Sequence, residues 1–138
     1  MKKLKIDFIV NDGSSLGVVT PDIMGENGRV GVGGSEMALL TVCEALTTAG
    51  HQVRLYNSPT HTGISPFPQY HIDTFLPHEG RDVVVVFRSP NARVRHAGGK
   101  RIWCRCDQFT VGDFSSFSTL MDEVITISPF LNEYFKNN

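Results

Sequence analysis

Two short runs in this chain carry residue types able to do chemistry. The first is Gly31-Val32-Gly33-Gly34-Ser35-Glu36. Small residues leading into a helix let backbone N–H groups and the positive helix end approach an anion such as a diphosphate. The second is Cys104-Arg105-Cys106-Asp107. A guanidinium and a carboxylate at a strand's end can hold a polyhydroxyl or charged ligand, and two cysteines one residue apart on a strand share a face that could clasp a soft metal. Structural zinc usually takes two such pairs, and the remaining cysteine, Cys43, falls on a helix face, so packed thiols are the expectation. Between the runs, Arg88, Arg93, Arg95, His96, Lys100, Arg101 and Arg105 form a locally basic stretch that could meet phosphate. It lacks the aromatic interleaving of single-strand binders, so a solvated surface is expected and nucleic acid is not an expected partner.

Other chemistries find no pattern. The dinucleotide fingerprint would need a third glycine where Glu36 stands, and would follow the first strand directly instead of about twenty residues later. No G-x-S-x-G elbow supports a hydrolase triad. Asn11-Asp12 lacks the further acidic and lysine landmarks of a phospho-acceptor site. The glycine run also has a purely architectural reading, a tight entry to a helix with Glu36 favourable in the first turn.

The elements that must position these runs are legible as a strand-helix-strand series. Residues 5–10 (KIDFIV) read as a buried strand ended by the turn cluster Asn11-Asp12-Gly13. Seven glycines from Gly13 to Gly34 exclude a regular helix there and admit a small hairpin pairing 17–20 with 29–32. Residues 35–49 are expected to form a helix with Leu39, Val42, Cys43, Leu46 and Ala49 on its buried face and Gly50 at its C-cap. With a strand over 52–57 this makes a βαβ unit and hence a parallel sheet. Prolines 59, 66 and 68 make 57–70 a loop; further strands are expected over 72–76, 82–88, 101–106 and 123–127, a short helix or turn over 114–121 and a helix over 129–136. The unbroken apolar run Val83-Val84-Val85-Val86-Phe87 marks the centre of the sheet. Ligands of such sheets bind beyond the carboxyl ends of the strands, where both chemistry-bearing runs fall.

Composition sets the outer bounds. At 138 residues, 41% hydrophobic and 20% charged, the chain reads as one globular domain spanning 1–138, and its formal charge of -1 gives no overall pull toward nucleic acid or an anionic bilayer. Lys2, Lys3 and Lys5 precede an apolar run too quickly broken by Asp7 and Asn11 to be a secretion signal, and three cysteines do not make an even disulfide framework. A cytoplasmic protein, at most peripheral to a membrane, is expected.

Taken in order, these landmarks resemble a known family. Gly33-Gly34-Ser35-Glu36 opening a helix, then Leu46 through Gly50-His51-Gln52-Val53, resembles the "GG-x-E … L-x-x-x-GH-x-V" signature of glycosyltransferase family 4. The segments Asp82-Val83-Val84-Val85-Val86, Lys100-Arg101-Ile102-Trp103 and Val124-Ile125-Thr126-Ile127-Ser128-Pro129-Phe130 look like successive later landmarks, so the match covers nearly the whole chain. The resemblance implies a Rossmann-like three-layer α/β domain with a mostly parallel sheet, one half of a GT-B architecture. The activity implied is transfer of a sugar from a nucleotide-sugar donor to a sugar, lipid or protein acceptor with retention of configuration, without a metal or other cofactor. Gly33, Gly34, Ser35 and Glu36 would approach the donor diphosphate, and Arg105 and Cys106 would line the substrate site. Asp107 matches the acidic member of the family's His-Asp or His-Glu pair and is carried over as the catalytic candidate; Cys106 stands where the family has the histidine. The chain reaches Asn138 about where the family begins its donor-binding domain, and the Glu-x7-Glu motif of that domain is not found. The expectation is therefore an acceptor-side half, cut or separately encoded, with little activity alone and a face open to a second domain or to a homodimer. The competing expectation is a stand-alone module that binds a phosphorylated or sugar ligand without catalysis.

Overall fold

The computed structural model describes residues 2–10, 34–57, 65–88, 91–105 and 117–126. Six strands form one sheet: β1 (Lys5–Ile9), β2 (Gln52–Asn57), β3 (Gln69–His71), β4 (Val83–Phe87), β5 (Lys100–Arg105) and β6 (Glu123–Thr126). Every pairing is parallel, and the spatial order is β3-β2-β1-β4-β5-β6. The chain winds outward from β1 in one direction, then jumps back to lay β4 against the other side of β1. The strand order therefore reverses between β1 and β4, the place where open parallel sheets leave a crevice at their carboxyl ends.

Side-chain alternation along the central strands divides the interior into two layers. On one face Ile6, Phe8 and Val10 pack with Val53, Leu55, Phe67 and Phe87 against helix α1 (Gly34–Thr48). On the other, Ile9, Tyr56, Val84, Val86 and Trp103 are covered by chain crossing between strands, through Ile72, Phe75, Val94, Ala97 and Phe117. The sheet is thus buried from both sides, as its apolar runs require.

Helix α1 buries Leu39, Leu40 and Cys43 and packs Leu46 against the same layer, while Val42 is 48% exposed and Ala49, just past the helix end, is exposed as well. The expected face is therefore corrected: each residue turns the helix by about 100°, so a face centred on Leu39, Leu40 and Cys43 leaves Val42 at its flank. The C-terminal stop is as expected. Gly50 takes φ 101°, its N–H donates to the Thr47 carbonyl at 3.0 Å, and the His51 N–H donates to the Leu46 carbonyl at 3.1 Å. These paired bonds are a Schellman motif, satisfying carbonyls that the helix end would otherwise strand.

A strand expected over 72–76 is also corrected. The edge strand is Gln69–His71, inside the stretch expected to be loop, and Ile72–Thr74 form a 3-10 turn. His71 drives the change: its Nδ1 accepts from the Asp73 N–H at 3.1 Å, while its carbonyl accepts from Thr74 Oγ1 at 2.7 Å. Local bonds of this kind compete with a ladder, and the turn carries Ile72 and Phe75 off the edge and under the sheet. The expected hairpin over 17–20 and 29–32 and helix over 129–136 lie outside the described residues. Of the expected short helix or turn over 114–121, the described part is helical at Phe117 and Ser118 and then turns, with the Leu120 N–H donating to the Phe117 carbonyl at 3.0 Å.

One polar cluster interrupts the apolar face. Asp7 is fully buried in the middle of β1, opposite Arg54 in the register with β2. Arg54 donates to both of its oxygens, Nε to Oδ1 at 2.7 Å and Nη2 to Oδ2 at 2.8 Å, and Arg81 Nε donates to Oδ2 at 2.7 Å. Arg81, its side chain equally buried, also donates to the carbonyls of Pro77 and Leu76 at 2.9 and 2.6 Å and lies 4.5 Å from the centre of the Phe75 ring. Arg54 completes the set by donating to Glu79 Oε1 at 2.6 Å, which holds the Glu79 carboxyl below its usual range. The crossing segment is thereby pinned to the sheet by charge as well as by apolar contact.

Two substitutions measure these constraints by urea unfolding. Asp7→Ala leaves Arg81 charged in the interior and is expected to cost about 3–5 kcal/mol, whereas a loss below about 1 kcal/mol would mean the pair is dispensable. Gly99 has φ 84°, and a Cβ there would sit 2.9 Å from the Arg81 carbonyl oxygen. Gly99→Ala is expected to destabilise by about 2 kcal/mol or more through strain and clash with rigid backbone.

Candidate functional site

In a parallel sheet a helix that follows a strand runs back antiparallel to it, so the N-terminus of α1 stands on the carboxyl side of the sheet. Gly34, Ser35 and Glu36 form the first turn of that helix. Arg105 is the last residue of β5 and therefore lies at the same edge. Gly33, Cys106 and Asp107 lie outside the described residues. The fold thus brings Gly34 to Glu36 and Arg105 to one side of the sheet, the side expected from sequence.

Sequence reasoning did not single out how the end of β4 is built. Arg88, immediately after Phe87, has φ 66°, a left-handed conformation that is uncommon for any residue with a side chain and costs on the order of 1–3 kcal/mol. It is held there from two directions. The Arg88 N–H donates to the Cys104 carbonyl at 2.9 Å, and the indole Nε1–H of Trp103 donates to the Arg88 carbonyl at 2.6 Å. Trp103 is the one tryptophan in the chain and is fully buried, its ring edge-on to Phe117 at 4.7 Å between centres. The Arg88 guanidinium lies 5.5 Å from the centre of the Phe87 ring. β4 sits beside β1, so this strained residue stands where the strand order reverses. The available signal was an arginine directly after an unbroken apolar run and before the Ser89-Pro90 pair.

Further along the carboxyl edge, Asn57 ends β2 fully buried, its Nδ2 donating to Gln69 Oε1 at 3.2 Å. Asn91 caps the 3-10 turn Ala92–Val94, its side chain accepting from the Arg93 N–H at 3.0 Å. These amides fix the strand ends and the return of the chain.

Three members of the basic stretch, for which a solvated surface is the expectation, form surface ion pairs. Arg93 pairs with Asp73 at 2.7 Å, Lys100 with Glu123 at 3.0 Å and Arg101 with Asp122 at 3.9 Å, all with exposed or half-exposed partners. Pairs of this kind contribute little to stability. Cys104 lies beside Phe87 in the register and packs against the same buried layer, and burial raises its thiol above the ordinary value; burial pushes the Cys43 thiol up to about 12. Both behave as packed apolar side chains. Among the described residues no group of three or more His, Cys, Asp or Glu side chains could hold a metal ion, and no helix is long and apolar enough to cross a membrane.

Two cavities open at the opposite, amino end of the sheet. One, of about 350 Å³, is lined by residues including Lys5, His51, Arg54, Pro68 and Tyr70; the other, of about 410 Å³, by Lys3, Lys5, Gln52, Gly80, Arg81 and Asp82. They adjoin the ionic cluster that locks the fold, and neither contains a residue of the carboxyl edge. The carboxyl edge where the strand order reverses is the better candidate, because there the first turn of a helix and strand-end polar groups share one edge.

Comparison of the chain with family models, with curated proteins and with solved structures finds no match. The functional reading therefore rests on the residues and their placement.

The link between Trp103 and Arg88 is open to direct measurement. Trp103→Phe keeps an aromatic ring beside Phe117 but deletes the indole donor and some buried ring volume, and is expected to lower unfolding stability by about 2–3 kcal/mol. An unchanged denaturation midpoint would show that the Arg88 backbone is held without it.

Proposed function

We propose that this chain is the N-terminal, acceptor-side domain of a retaining glycosyltransferase of GT-B architecture, with a Rossmann-like sheet and a family 4 type of site. The observation that supports it is the 3-2-1-4-5-6 order of a wholly parallel sheet with α1 opening at Gly34 and β5 ending at Arg105 on the same edge. A nucleotide-sugar is the donor, and a sugar, lipid or protein hydroxyl the acceptor. A second domain, joined to this one or supplied separately, holds the nucleotide.

The chemistry asked of this domain is modest. The bond between the anomeric carbon and the diphosphate breaks, the acceptor oxygen takes its place on the same face of the sugar, and the proton lost from that oxygen leaves with the departing diphosphate. Negative charge grows on the diphosphate as it departs, and backbone N–H groups at Gly33 to Glu36, backed by the helix dipole, stabilise it. The side chains at and just beyond the end of β5, Arg105, Cys106 and Asp107, orient the acceptor, with Asp107 nearest in role to the reacting hydroxyl. No step in this scheme draws on a metal.

The test is calorimetry and glycosyl-transfer assay with UDP, GDP, ADP and their sugars, with and without a family-type C-terminal domain. Binding and turnover that arise only with the second domain support the reading. Tight nucleotide binding by the 138 residues alone would replace it with a stand-alone ligand-binding module. In the reconstituted enzyme Gly34→Val is expected to reduce turnover at least about tenfold by blocking the approach of the diphosphate, with the melting temperature little changed. Unchanged turnover in that variant would remove the glycine run from the site.

A further inference from the structure

We propose that the cavity of about 350 Å³ at the amino end of the sheet is a second binding site, and that it takes a small carboxylate borne on an apolar ring. The site is independent of the transfer reaction proposed above, which belongs to the opposite edge.

The cavity has the volume of a small-molecule site, and separate parts of the chain converge on it. His51 stands in the turn after α1, Gln52 opens β2, Pro68 and Tyr70 belong to the edge around β3, and Gly80 lies on the approach to β4. Tyr70 and Pro68 supply an apolar wall. Tyr70 is 43% exposed although it sits on an edge strand of three residues, and its ring is held 5.6 Å from that of the buried Tyr56, tilted by 35°. An aromatic ring anchored against the core and lining a cavity is a platform on which a second ring can lie.

The polar lining divides into groups already engaged and groups that are not. Thr47 Oγ1 donates to the Cys43 carbonyl, and Arg54 donates to Asp7 and Glu79. His51 Nδ1 accepts from the Leu4 N–H at 3.1 Å, so the ring hydrogen sits on Nε2. That N–H, the Lys5 ammonium and the Gln52 side-chain amide take no hydrogen-bond partner among the described residues. Three donors thus line one space.

Charge then selects the ligand. In the ionic cluster beside the cavity the two guanidiniums of Arg54 and Arg81 balance the two carboxylates of Asp7 and Glu79. The neighbouring cavity adds one lysine, Lys3, and one carboxylate, Asp82, again in balance. Lys5 lines both spaces and is the surplus, a single positive charge. One ammonium with two neutral donors suits a monoanion, and a carboxylate presents two acceptor oxygens to them.

The test is titration of the full chain near neutral pH with benzoate, benzamide and phenyl phosphate, by calorimetry and by NMR of the backbone amides. Benzoate is expected to bind with a Kd of about 1 mM and to shift the signals of Lys5, His51, Gln52, Tyr70 and Gly80. Benzamide, the same ring without the charge, is expected to bind at least about tenfold more weakly. Lys5→Met keeps the apolar stem and is expected to weaken benzoate roughly fivefold while leaving benzamide unchanged. A Cβ at Gly80 meets nothing within 4 Å, so Gly80→Leu fills the space; its melting temperature should stay within about 3 °C of the parent while benzoate affinity falls at least about tenfold. Equal affinity for benzoate and benzamide, tighter binding of phenyl phosphate, or no binding at all would overturn the carboxylate assignment. Shifts confined to other residues, or benzoate binding that persists in folded Gly80→Leu and Lys5→Met, would overturn the site.

Discussion

The buried carboxylate of Asp7 is the constraint around which the rest of this fold is arranged. A charge in the middle of the central strand is costly unless its oxygens are fully engaged, and here two guanidinium groups engage them. Arg54 is supplied by the neighbouring strand in register. Arg81 comes from the far end of the chain that crosses beneath the sheet, and its remaining donors close that crossing on the carbonyls of Leu76 and Pro77. The one interaction therefore sets the pairing of β1 with β2 and the path from β3 to β4. That path lays β4 on the other side of β1, which is the reversal in strand order.

The two ends of the sheet divide the work. At the amino end, backbone and carboxylates knit the strand starts together: the Lys5 N–H donates to Asp82 Oδ2 at 2.8 Å, the Arg101 N–H to Asp122 Oδ2 at 2.7 Å, and the Leu4 N–H to His51 Nδ1 at 3.1 Å. The shared logic is to satisfy backbone groups that the starts of the strands would otherwise leave unpaired. At the carboxyl end the constraint is of another kind. The Arg88 backbone is held in a high-energy conformation by the buried Trp103, which is a use of core packing to fix a polar residue at the rim. Rigid scaffold beneath and polar strand ends above is the arrangement on which loops can carry function.

Much of this was legible along the chain, and the misreadings have definite causes. Strands β1, β2, β4, β5 and β6 and helix α1 follow from apolar runs and from Gly50, because buried parallel strands leave unbroken hydrophobic segments and a helix end needs a residue tolerant of positive φ. β3 was misplaced by a few residues, since the bonds of His71 to its own turn outweigh the apolar character of Ile72 and Phe75. The buried face of α1 was misjudged because Val42 and Leu40 are equally apolar, and only packing against Phe8 and Leu55 selects between them. Of the candidate site, Gly34, Ser35, Glu36 and Arg105 fall on the expected edge, by topology alone.

What the sequence by itself determined is the class of fold and the edge of the sheet on which Gly34, Ser35, Glu36 and Arg105 fall, since both depend on local periodicity and on the order of elements. Only the tertiary structure decided that Asp7, Arg54 and Arg81, separated by 47 and 74 positions from Asp7, form one buried cluster, and that Arg88 is strained. A charged residue within an apolar strand signals that a partner must exist but not which one, because opposite charges many residues apart meet only once the register of the sheet is set. Strain at Arg88 is equally invisible along the chain. It arises from hydrogen bonds to Trp103 and Cys104 on the adjacent strand, which the sequence places near Arg88 only after β4 and β5 have paired.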